Sequence, residues 1–147
     1  MDVIFDIDGT LADIAHRRHY VQSKPKNWTA FIKASVHDTP NYDIVWMLKT
    51  FHNAGCRILI ATGRSELDRK LTENWLHSVA GIGGLYVKMY MRPINDFRQD
   101  STIKSEILDQ MYVDGFDPKM AVDDRDQVVQ MWRQRGVRCL QVADGNF

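Results

Sequence analysis

Asp6 and Asp8 stand one residue apart at the end of an apolar run, Val3-Ile4-Phe5, and are followed by Gly9-Thr10-Leu11. Such a run reads as a strand buried on both faces, and open α/β sheets bind their ligands at the C-terminal ends of such strands. Two neighbouring carboxylates withdrawn from water are costly unless a cation joins them. The pair points to a divalent metal and an anionic substrate. The competing structural reading is two acids capping a strand at the surface. Three further places repeat the pattern: Thr62-Gly63-Arg64 after a second apolar run, Lys104 after a polar loop, and Asp123-Asp124 after Ala121-Val122.

Phosphoryl transfer uses all of these groups. A phosphate ester is a dianion whose transfer spreads charge over its equatorial oxygens. Mg²⁺ keeps several waters and takes few carboxylates. Asp6, the backbone carbonyl of Asp8, and one of Asp123 or Asp124 can supply that set. A metal-held carboxylate can attack phosphorus with its free oxygen, which makes Asp6 a candidate nucleophile and gives an aspartyl-phosphate. Asp8 can then protonate the leaving oxygen and later activate water. Thr62 offers a hydroxyl donor, and Lys104 offers positive charge. Taken singly, Thr62-Gly63 reads equally as an ordinary turn. Lys104, near Glu106 and Asp109, reads as a solvated helix residue, and Asp123-Asp124 as a strand end with a helix cap. Their shared position at strand tips is what joins them.

Alternating strands and helices must bring these tips together. Strands are expected over Val3–Ile7, Arg57–Ala61, Leu85–Tyr90, Lys119–Val122 and Val137–Val142. Asn27 can cap a short helix through Ser35. Pro40-Asn41 opens another helix with Ile44, Val45, Leu48 and Phe51 on one face, closed by Gly55. Thr62–Ser65 reads as a turn, with Ser65 capping a helix whose buried stripe is Leu67, Leu71, Trp75 and Val79. Ser101–Met111 and the segment around Val128, Val129 and Trp132 complete the helices. This alternation predicts a mostly parallel sheet covered by helices on both faces, a Rossmann-like three-layer α/β sandwich.

The 147 residues are one domain's worth, and four Trp with 44% hydrophobic residues can build a core. Lys+Arg and Asp+Glu are both 19, so no global basic field exists to hold a long nucleic acid. Cys56 and Cys139 read as packed, reduced thiols. Neither a signal peptide nor a membrane-spanning run is evident, so a cytoplasmic location is expected.

Asp6-Ile7-Asp8-Gly9-Thr10-Leu11, Thr62, Lys104 and Asp123-Asp124 resemble, in order, the four motifs of the haloacid dehalogenase superfamily of phosphohydrolases. The resemblance runs essentially the full length. It implies Asp6 as nucleophile, Asp8 as general acid/base and Mg²⁺ as cofactor. Ala121–Arg133 and Arg98-Gln99-Asp100 ahead of Ile103–Ile107 are similar to the 3′-phosphatase domain of phage polynucleotide kinase. That likeness implies that Arg17 and Arg64 assist the site and that Asp100 orients Lys104, while the turn after Thr62, beginning at Gly63, offers backbone N–H groups to the substrate. The chain carries no G-x-x-x-x-G-K-[ST] loop, so no kinase half is expected in it. The stretches His16–Tyr20 and Lys24–Phe31 depart from that domain.

The expected organisation is a single domain over 1–147 with a small helical lid around 14–40. A small lid leaves an open cleft, suited to a bulky ester such as a nucleic acid 3′ end. His16, Arg17, Arg18, His19 and Arg64 can form a local anion patch, and Tyr20 or Trp28 can stack a base. The alternatives are a phosphatase of small esters such as nucleoside monophosphates, and a non-catalytic interaction domain that kept the fold.

Overall fold

The computed structural model describes residues 1–147. The elements in chain order are β1 (Asp2–Phe5), β2 (Ala12–Asp13), α1 (His19–Gln22), α2 (Trp28–Ala34), β3 (Thr39–Pro40), α3 (Tyr42–Asn53) and β4 (Arg57–Ser65). They continue with α4 (Arg69–Ser78), β5 (Tyr86–Arg92), α5 (Asp100–Val113), β6 (Pro118–Asp123), α6 (Asp126–Gln134) and β7 (Arg138–Gln141). Short 3₁₀ turns precede α1, β3 and α4. No helix is long and apolar enough to cross a membrane.

Five strands form one sheet in the order β5-β4-β1-β6-β7, and every pairing in it is parallel. Strand residues alternate between faces. Val3 and Phe5 of β1, with Ile58 and Ile60 of β4, join α3 and α4 in one core through Ile44, Val45, Leu48, Trp75 and Leu76. Ile4, Leu59 and Ala61 face the other way, against Ile103, Ile107, Leu108 and Met111 of α5 and Val128, Val129 and Trp132 of α6. The predicted three-layer sandwich is therefore the observed one.

Connections from β1 run outward through α3 to β4 and through α4 to β5. The chain then crosses on the opposite face, through α5, to β6 on the other flank of β1. The direction of winding thus reverses beside β1, between the tips that carry Asp6 and Asp123. A crevice outside the strand ends at such a reversal is where this architecture places ligands.

Two local expectations are corrected. Thr62–Ser65 is not a turn: β4 continues through Ser65, which pairs with Arg92 of β5 after a register shift. The buried face of α4 is Thr72, Trp75 and Leu76, while Leu67 and Val79 are 71% and 46% exposed. Residues four apart drift about 40° around a helix per step, so a strict four-residue repeat leaves the buried face within three steps. Other local readings match. Asn27 Oδ1 accepts from Ala30 N at 3.0 Å and Ser65 Oγ from Leu67 N at 3.2 Å. The segment between β2 and β3 is helical, and those two strands pair antiparallel at its base.

Candidate active site

β1 is apolar from Val3 through Phe5 because both its faces are covered. The first polar side chain after it, Asp6, leaves the sheet at its C-terminal edge and is only 5% exposed. Gly9 follows with φ +83°, and a Cβ there would fall on Asp124 Oδ2. The Gly-Thr turn thus permits close approach of the β1 and β6 tips. Thr10 Oγ1 donates to Asp6 Oδ2 at 3.1 Å and reaches Asp124 Oδ1 at 3.4 Å.

Asp6, Asp123 and Asp124 are brought together: each offers a carboxylate oxygen within 4.8 Å of the others, and all three are buried. Lys104, one turn into α5, places Nζ 2.7 Å from Asp6 Oδ1 and 2.8 Å from Asp123 Oδ2. Asp123 also accepts from Trp132 Nε1 at 3.2 Å and from the Asp124 N–H at 2.9 Å. Asp124 Oδ2 is buried without any hydrogen-bond partner. An orphaned acceptor at that depth costs free energy comparable to a lost hydrogen bond or more.

Three buried carboxylates against one ammonium leave the cluster short of positive charge. Burial pushes the Asp6 carboxyl well above the usual range, against the pull of Lys104 and reinforced by Asp123 and Asp124. Burial and then the Asp123 charge push Asp124 up to about 6. Burial alone would lower the Lys104 ammonium, but Asp123, Asp6 and Asp100 outweigh it and hold it firmly protonated. An all-oxygen donor set with surplus negative charge and an unpaired oxygen fits a hard divalent cation such as Mg²⁺.

Asp8 lies in a different environment, 23% exposed at its side chain. Arg17 Nη2 and Arg64 Nη2 each reach Asp8 Oδ1 at 2.6 Å. Burial would raise the Asp8 carboxyl, but Arg64 and Arg17 outweigh it and hold it at about 2. Arg17 is fully buried. It is clamped by Asp38, whose Oδ1 and Oδ2 accept from Nε and Nη2 at 2.7 Å each. Asp38 Oδ1 also lies 2.6 Å from His16 Nε2. Its backbone carbonyl accepts from Trp75 Nε1 at 3.0 Å. Arg64, at the end of β4, is steadied by Thr72 Oγ1 at 3.3 Å.

Thr62 is buried in β4, three residues before the strand ends, and its Oγ1 accepts from Arg64 N at 3.2 Å. No protein acceptor takes its proton, so the hydroxyl remains a donor. Gly63 offers its carbonyl to Arg92 Nε at 2.8 Å. Asp100 lies against Gly63 Cα and is bonded by Arg92 Nη2 and, at 2.7 Å, by Arg125 Nη1. The expected role of Asp100 in orienting Lys104 is thus not a direct contact. Asp100 acts on Lys104 through its charge and ties β5 to the Asp123-Asp124 loop. Sequence reasoning missed Asp38, Arg92 and Arg125. A lone acid ahead of Thr39-Pro40 carries no local signal, and the partners of Asp100 come from two distant strand ends.

One family model and three solved structures are similar to this chain. The model of the polynucleotide kinase PNKP phosphatase domain matches residues 1–147. A chain from a structure of the Pnkp1/Rnl/Hen1 RNA repair complex is similar at 30% identity and a TM-score of 0.76, over 99% of this chain and 43% of its own. A chain from another structure of the Pnkp1/Rnl/Hen1 complex is similar at 32% identity and a TM-score of 0.80, over 99% of this chain and 46% of its own. This chain therefore spans less than half the length of either. The class C acid phosphatase from Bacillus anthracis with tungstate bound shares the fold alone, at 13% identity and a TM-score of 0.71, over 99% of this chain and 67% of its own. With the match covering every residue, the chain belongs to the PNKP phosphatase-domain family and is a phosphoric monoester hydrolase of the haloacid dehalogenase type.

Proposed function

We propose that this hydrolase is a Mg²⁺-dependent phosphatase that removes 3′-phosphates from nucleic acid ends through a phosphorylated Asp6. The observation that carries the reading is the buried Asp6–Asp123–Asp124 triangle, with Lys104 beside it and one Asp124 oxygen unpaired. Asp6, Asp123 and Asp124, with the Asp8 carbonyl, would hold the ion, and the bound ion would neutralise charge on the reacting oxygens. Asp6 attacks phosphorus with a carboxylate oxygen, and the ester oxygen leaves with the electron pair of the broken P–O bond. Lys104 offsets part of the charge that Asp6 and Asp123 bring together. The free Thr62 hydroxyl donates to a phosphoryl oxygen. Asp8 gives a proton to the leaving oxygen and then takes one from the water that hydrolyses the phosphorylated Asp6. In the structure Asp8 is held by Arg17 and Arg64. A phosphate dianion competes for both guanidiniums and frees Asp8, which then takes from solvent the proton it carries to the leaving oxygen.

The substrate reading rests on the family match and on likeness to chains of an RNA repair complex. We read α1 and α2 as a small lid beside the strand tips, leaving room for a polymer end. The free thiols of Cys56 and Cys139 agree with a reducing compartment such as the cytoplasm. The test compares Mg²⁺-dependent phosphate release from a 3′-phosphorylated oligonucleotide with release from free nucleoside 3′-monophosphates. A higher kcat/KM on the oligonucleotide is expected. Equal or greater efficiency on the mononucleotides would reassign the protein to small esters.

A further inference from the structure

Phe147 is 53% exposed, yet its position is specified by several contacts. Gly145 packs so closely on the Asp124 carbonyl and Arg125 Cα that a Cβ there would collide with both. Gly145 O accepts from Asp126 N at 2.8 Å, and Phe147 O accepts from Arg125 Nε at 2.7 Å. The segment after β7 is thus laid along the loop that carries Asp123 and Asp124.

The Phe147 ring meets two guanidiniums from distant stretches of the chain. Arg125, next in the chain to Asp124, lies 5.2 Å from the ring centroid. Arg18, next to the Arg17 that binds Asp8, lies 5.6 Å from it. One ring therefore bridges the residue next to Arg17 and the residue next to Asp124. Of Tyr20 and Trp28, the aromatics marked from sequence, Trp28 stays 56% exposed and both have aromatic neighbours. Tyr20 lies 4.0 Å from the His19 ring and packs on the core, while Trp28 leans on Phe31 at 5.7 Å.

We propose that Phe147, with Arg18 and Arg125, forms a subsite that stacks the terminal nucleobase of a polynucleotide whose 3′-phosphate occupies the catalytic centre. The inference rests on the 3′-end reading above and assigns its specificity. A guanidinium over an exposed ring is a weaker partner than a stacked base. An entering base therefore displaces one arginine from the ring, and that arginine turns to the adjacent phosphodiester. A subsite of this kind grips one nucleotide without a broad basic surface, consistent with equal counts of 19 acidic and 19 basic residues.

The experiment measures kcat and KM of the intact chain and of Phe147→Ala and Phe147→Trp. The substrates are a 3′-phosphorylated oligonucleotide and p-nitrophenyl phosphate. For Phe147→Ala, the ratio of kcat/KM on the oligonucleotide to that on p-nitrophenyl phosphate is expected to fall about tenfold, through KM. Phe147→Trp is expected to restore it. An unchanged ratio, or a loss of the same size on both substrates, would overturn the subsite. A gain on both substrates would show that Phe147 obstructs access and would overturn it equally. If the intact chain cleaves p-nitrophenyl phosphate but not the oligonucleotide, the 3′-end reading itself fails and this inference with it.

Discussion

Asp124→Asn is the most diagnostic substitution, because it is predicted to stabilise the metal-free protein while removing its response to magnesium. The side chain is buried with one oxygen unpaired, and its carboxyl is pushed from 3.8 to about 6 by burial and by Asp123. Below pH 3.8 the group is protonated in both folded and unfolded chains, and it costs nothing. Between there and about pH 6 the unfolded chain ionises first, so folding loses stability as pH rises. Above that range the full cost applies, about 3 kcal/mol at 1.36 kcal/mol per pH unit. Asparagine keeps the shape and drops the charge, so in chelator at pH 7.5 the variant is expected to be more stable by roughly 1–3 kcal/mol, or several degrees in Tm. The advantage should shrink toward zero near pH 4. Added Mg²⁺ binds only the folded wild type and should raise its Tm, with little effect on the variant. Thermal melts at pH 4, 5, 6 and 7.5, with EDTA and with Mg²⁺, read all four quantities. A variant no more stable than wild type at pH 7.5 in EDTA, or one equally stabilised by Mg²⁺, would refute the argument.

Two other substitutions probe neighbouring links. Lys104→Met removes the ammonium that spans Asp6 and Asp123 at 2.7 and 2.8 Å. Denaturant unfolding in chelator at pH 7.5 should show a loss of about 3–5 kcal/mol, smaller at pH 5 where the raised carboxyls hold protons. A variant as stable as wild type at pH 7.5 contradicts the assigned charge balance. Asp38→Asn leaves the buried Arg17 with one charged partner instead of two. We expect kcat/KM to fall about tenfold to hundredfold with an intact circular dichroism spectrum. Unaltered kinetics would show that Asp8 alone positions Arg17.

What could be read ahead of the structure follows from what each signal encodes. β1, β4 and β6 announce themselves because strands covered on both faces must be apolar. The site announces itself where Asp6, Thr62 and Asp123 break those apolar runs, although β4 itself continues past Thr62 to Ser65. Asn27 and Ser65 were legible because capping is a local contact. The stripe on α4 was misplaced because Leu67 precedes the helix on a 3₁₀ turn, and the real face follows three- and four-residue spacing through Thr72, Trp75 and Leu76. The extension of β4 to Ser65 depends on pairing with Arg92, a partner 27 positions along the chain (92 − 65). Asp38 and Arg125 stayed hidden for the same reason. Ion pairs between distant loops leave no periodicity, and a charged residue in a polar stretch reads as solvated until its partner is placed.

The central claim is that Asp6 carries the phosphoryl group. Its most direct test is acid quench of the protein during turnover of a 3′-phosphorylated oligonucleotide with Mg²⁺, followed by peptide mass spectrometry. We predict a phosphoryl group on the peptide containing Asp6, absent from Asp6→Asn, which should also lose turnover. Sustained turnover by Asp6→Asn, or a phosphoryl group trapped on another residue, would contradict the account.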